Sequence, residues 1–104
     1  MTEELNTVLG EIKTVTSEIL NKDISKVRGF SKRQLKAIGI QTLLIKEGVA
    51  TGEISGELQE FFEESLKKMV TNFVSTLKGI TAVILEKVWN AIVEILWKTI
   101  GFLV

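Results

Sequence analysis

Glu57, Glu60 and Glu64 recur at spacings of three and four within "GELQEFFEES", so on a helix their carboxylates share one face. Grouped carboxylates are the hard oxygen ligands that a divalent cation takes, and with histidine in a Glu-x-x-His spacing they build the di-iron centres of helical bundles. This chain has no histidine. The residue types therefore favour an acidic first helical turn, which complements the helix dipole and attracts a basic neighbour. Neither a metal nor another cofactor is expected.

The second group of interest is basic. "KDISKVRGFSKRQLK" carries Lys22, Lys26, Arg28, Lys32, Arg33 and Lys36 against Asp23 alone, whereas Glu47 to Glu64 holds only acidic charges. Lys26, Arg28, Lys32, Arg33 and Lys36 surround a loop and a helix start, where unpaired backbone N–H groups also favour anions, so they are the candidate contact for an anion or an acidic partner. Nucleic acid is disfavoured, because the block lacks interleaved aromatics and the acidic block repels phosphate. The two blocks attract each other, within one chain or between copies.

Composition narrows the chemistry further. Cysteine, histidine and tyrosine are all absent, which leaves no thiolate and no imidazole for proton transfer near neutral pH. No phosphate-cradling glycine loop or nucleophile motif occurs, so the reading is non-catalytic, with no small-molecule substrate. The acidic "MTEELNTVLGEIK" does not resemble an export signal, which points to an intracellular protein, cytoplasmic or inside an assembled particle. With 104 residues, 45% of them hydrophobic, and zero net charge, the chain reads as one helical domain.

Three helical segments would position these groups. Leu5, Val8, Ile12, Val15 and Ile19 alternate spacings of three and four, which predicts a helix over about 3–21 that seeks a partner surface, with Leu9 and Leu20 widening its stripe. "GFSKRQLK" has the pattern of a capping box, Ser31 with Gln34, and a staple of Phe30 on Leu35, so a second helix is expected over about 32–50. Gly52 suits its left-handed end, and Gly39 and Gly48 inside it mark places where another backbone approaches. These two helices make up residues 1–54.

The third segment, 55–104, begins after Ser55. Leu58, Phe62, Leu66, Met69, Phe73, Leu77, Ile80, Ile84, Val88, Ala91, Ile95 and Thr99 repeat a spacing of four, four and three, and the register passes Gly79 without a change of phase. One helix over about 56–100 is favoured over a hairpin folded at Gly79; it would be about 65 to 70 Å long. Within it Glu86, Lys87, Asn90, Glu94 and Lys98 hold roughly a third of the circumference, and the remaining two thirds is apolar, wider than the arc that a helix on an ordinary core needs. The terminal Phe102-Leu103-Val104 reads as the packing of a last turn.

Two coverings are open to so wide an arc. Side-by-side packing of copies would place Leu66, Phe73, Leu77, Ile80, Ile84, Val88, Ile92, Ile95 and Leu96 at an oligomer interface. The alternative is a membrane-associated or pore-forming, holin- or toxin-like protein, with Trp89, Trp97 and Phe102 at the lipid boundary and the basic block attracted to anionic lipid. A lone span is disfavoured, since three or four charges at about +2.5 to +3.5 kcal/mol each outweigh the gain from its Ile, Leu and Val residues. The expectation is thus an all-α homo-oligomeric bundle with a non-catalytic structural or assembly role, its partner a copy of itself.

Overall fold

Helices account for nearly all of the structure, a computed structural model that describes residues 2–102. In chain order they are α1 (Thr2–Leu20), α2 (Lys32–Thr51), α3 (Gly56–Ser75) and α4 (Ala82–Ile100), with a 3-10 turn at Ile24–Lys26 between α1 and α2. There is no strand among the described residues. Of the terminal triplet, Leu103 and Val104 lie outside them.

Local chemistry explains most boundaries. Asn21 takes a left-handed φ of 58°, and Lys22 and Asn21 donate to Ser17 O at 3.2 Å and Glu18 O at 3.3 Å, closing α1 with a Schellman pair. Ser31 Oγ accepts from the Gln34 N–H at 3.1 Å, so α2 begins where its cap predicts. Only half of the capping box forms, however. The Gln34 Oε1 is buried without a partner, and Phe30 stacks edge-on against Phe73 of α3, with ring centroids 5.9 Å apart. Gly52 ends α2 at φ 82°, and Ser55 caps α3 by position without a side-chain hydrogen bond.

The single long helix is not formed: the segment 56–100 is two helices joined by a turn at 76–81. Gly79 supplies a left-handed φ of 75°, and Thr81 starts α4 by accepting from Ile84 N–H at 3.4 Å. A neighbouring loop holds this turn. Lys78 N–H donates to Arg28 O at 2.8 Å, and Thr76 Oγ1 lies 2.8 Å from Gly29 O and 2.7 Å from Phe73 O. Gly29, at φ 87°, approaches Thr76 so closely that a Cβ there would collide with the Thr76 carbonyl.

Folding at Gly79 resolves the problem posed by the wide apolar arc. The molecule measures 41 × 27 × 22 Å, too short for a helix of about 65 to 70 Å. Instead α4 packs against α1, α2 and α3 together, so one chain covers it on several sides. Val88, Ile92, Ile95, Leu96 and Ile100 are buried, while Glu86, Lys87, Asn90, Glu94 and Lys98 form the exposed strip. The radius of gyration, 13.5 Å, is near the roughly 13 Å typical of a single folded chain of this length.

The core continues into the other helices through Val8 and Ile12 of α1, Leu35, Ile38, Leu43 and Ile45 of α2, and Leu66, Val70 and Phe73 of α3. Thr16 and Thr42 are fully buried, and their hydroxyls are satisfied by donating to Ile12 O at 2.6 Å and Ile38 O at 2.8 Å. Gly39 and Gly48 are indeed places of close approach, but side chains rather than backbone come near. Leu5 and Leu9 fill the space over Gly39, and Ile54 folds back onto Gly48.

Candidate interaction surface

What the core consumes decides what remains for a partner. The nine residues expected at an oligomer seam are largely spent inside the chain: Leu66, Phe73, Leu77, Val88, Ile92, Ile95 and Leu96 are buried, and Ile80 and Ile84 are half-buried against the same core. The C-terminal helix therefore offers a partner its polar strip and Val83, which is 65% exposed, rather than an apolar seam. The physical reason is the turn at Gly79, which lets three helices of the same chain supply the cover.

The aromatics expected at a lipid boundary are tied to the fold in the same way. Trp89 Nε1 donates to Thr71 Oγ1 of α3 at 3.0 Å, and Trp97 stacks edge-on with Phe102 at 5.5 Å. Lys67 of α3 reaches over the Trp97 ring at 6.0 Å from its centroid. Among the described residues, no helix is long and apolar enough to cross a membrane.

The apolar side chains left outside cluster on other helices. Leu44 of α2 is 48% exposed, and Leu58 and Phe61 of α3 are 45% and 64% exposed. Phe61 stacks edge-on with Phe62, whose ring packs against the core. The turn 52–55 makes α2 and α3 an antiparallel pair, in which Gln34, Ala37 and Ile38 face Met69 and Asn72 across a small cleft. That register brings Leu44 level with Phe61 and Phe62, since α2 climbs as α3 descends.

Charge is distributed along this pair by end. Lys32, Arg33 and Lys36 stand exposed at the N-terminal end of α2, where with Ala37 and Ile40 they line a shallow, largely apolar groove. Lys26 and Arg28 are exposed in the loop just before it. Glu47, Glu53, Glu57 and Glu60 are exposed at the opposite end. The two blocks do not meet within the chain: the ion pairs among the described residues are Lys46 with Glu4 at 2.8 Å and Lys67 with Glu64 at 3.7 Å.

Glu57, Glu60 and Glu64 lie on α3, and no cluster of three or more residues suited to holding a metal ion occurs among the described residues. Two carboxyls are held below their ordinary range, both at exposed positions with local partners. A hydrogen bond and attraction from Lys46 hold Glu4 down, and the Ser25 hydroxyl and N–H do the same for Asp23. The exposed apolar trio on α2 and α3 was hidden in the sequence because exposed and core residues adjoin there: Leu43 is buried beside Leu44, and Phe62 packs on the core beside Phe61, so only a wheel with a known core direction separates them. No known protein family matches the sequence, and neither a curated protein nor a solved structure matches it.

Proposed function

We propose that this chain is a non-catalytic helical protein that works by associating with copies of itself, as a building unit of an assembly. The observation that carries the reading is the apolar surface left over after the core is complete: Leu44, Leu58 and Phe61, all roughly half exposed or more, on the α2–α3 pair. Large side chains in water favour burial by about 1.5 to 3 kcal/mol each, and exposed apolar patches are where partners bind. The absence of cysteine, histidine and tyrosine from the sequence supports a role without catalysis.

Sedimentation velocity in detergent-free buffer tests it, over concentrations from about 1 to about 100 μM. Self-association predicts a reversible rise in mass with concentration. A chain that sediments as 11.6 kDa throughout would end the reading.

A further inference from the structure

We infer that the outer face of α2 and α3 is a self-complementary surface on which a second copy docks antiparallel, around a two-fold axis near Ile40. The inference deepens the self-association reading and rests on it. Its basis is one stripe of α2: Arg33, Ala37, Ile40, Leu44 and Glu47 follow spacings of four, three, four and three, so they stand in a row on one side of the helix. All are exposed except Ile40, which is half-buried. Read along the helix, the row runs from a cation through three apolar side chains to an anion.

Such a row is its own partner when reversed. Laid against a copy running the opposite way, Arg33 meets Glu47 of the second copy, Ala37 meets Leu44, and Ile40 meets Ile40; a two-fold then repeats each contact. α3 carries charge in the same sense, with Glu57 toward the acidic end and Lys68 toward the basic end, and Phe61 adds exposed apolar area between them. The parallel arrangement would set Arg33 on Arg33 and Glu47 on Glu47. Charge thus selects the antiparallel pairing, and neither Arg33 nor Glu47 is engaged in an ion pair among the described residues of its own chain.

The size of the face sets the strength of the contact. Two helices about 30 Å long and about 10 Å wide offer roughly 600 Å² per copy, just below the roughly 800 Å² of a standard interface. The expected dimer forms in the micromolar range and weakens as salt rises, because its ends are charged.

The test uses charge exchange in the full chain, read by sedimentation with circular dichroism to confirm the fold. Arg33→Glu and Glu47→Arg each place like charges in the reversed contact, so each variant alone should dimerise at least about fivefold more weakly than the parent. Mixed in equal amounts they should associate again, because each end of the mixed pair then sets a carboxylate of one variant against a guanidinium of the other. Leu44→Asp should also weaken the dimer while leaving helicity intact. Self-association that persists unchanged in all three variants overturns this face and leaves the self-association reading standing; a chain monomeric at every concentration overturns both. A monomer that instead floats with phosphatidylserine-containing vesicles, and loses that binding in Leu44→Asp, assigns the face to lipid and also overturns the inference.

Discussion

α4 and α2 differ in where their apolar side chains end up. α4 is the more apolar of the two, and its large apolar residues apart from Val83 are buried or half-buried by three helices of its own chain. α2 is less apolar, yet it leaves Leu44 48% exposed in a row that ends in exposed charges. The amount of apolar surface on a helix states how many neighbours it needs, not whether they belong to another molecule. Topology decides that, and here a turn of a few residues at 76–81 decides it in favour of the same chain.

The largest effects are expected where α4 and α3 meet the core. Phe73→Ala empties a fully buried aromatic site and should destabilise the fold by about 3–5 kcal/mol, a large part of the roughly 5–15 kcal/mol that holds a domain of this size together. Urea denaturation followed by circular dichroism measures it. A loss below about 1 kcal/mol would mean that Phe73 is not a core residue and that the two helices are not folded against each other.

Next come the two glycines of the tied turn. Gly29→Ala combines a left-handed backbone with a collision at the Thr76 carbonyl, whereas Gly79→Ala meets open space and only the left-handed penalty of about 1–2 kcal/mol. Gly29→Ala should therefore lower the melting temperature more than Gly79→Ala does. If 56–100 were one straight helix, Gly79→Ala would raise stability instead, by about 1 kcal/mol.

This turn also shows how far the sequence could be read. Three turns share a signature: Gly29 with Ser31, Gly52 with Ser55, and Gly79 with Thr81, each a glycine followed two or three residues later by a hydroxyl cap. The helical class, α2 and its Ser31 cap were legible from local chemistry alone. The third turn was hidden by the unbroken stripe through Gly79, because two helices facing one core preserve phase as well as one helix does when their linker spans a near-whole number of turns. Wheel analysis found the polar strip of α4, but which molecule covers the opposite side depends on contacts distant in sequence. The charge blocks were visible too; that they remain apart within the chain was not.

Smaller changes sharpen the contrast at the caps. Ser31→Ala removes a hydrogen bond of 3.1 Å and Thr81→Ala one of 3.4 Å, so both should destabilise within the range of about 0.5–2 kcal/mol, Ser31→Ala the more. Thermal melts of the two variants rank them. The smallest effect concerns the exposed Glu4–Lys46 contact between α1 and α2. Lys46 depresses the Glu4 carboxyl, so its contribution is present above the ordinary carboxylate range and fades as pH falls through the depressed value. Glu4→Gln should accordingly flatten the acid limb of the stability–pH curve slightly and leave neutral stability nearly unchanged.

Sedimentation velocity on the pair Ile95→Asp and Leu44→Asp, with helicity recorded on the same samples, tests the central claim most directly. Ile95 is buried in the core and Leu44 stands on the outer face. Ile95→Asp should unfold the chain, and Leu44→Asp should leave a folded protein whose proposed self-association is weaker than the parent's. A folded, monomeric Ile95→Asp beside a Leu44→Asp that associates as the parent does would contradict the account and return the subunit seam to α4.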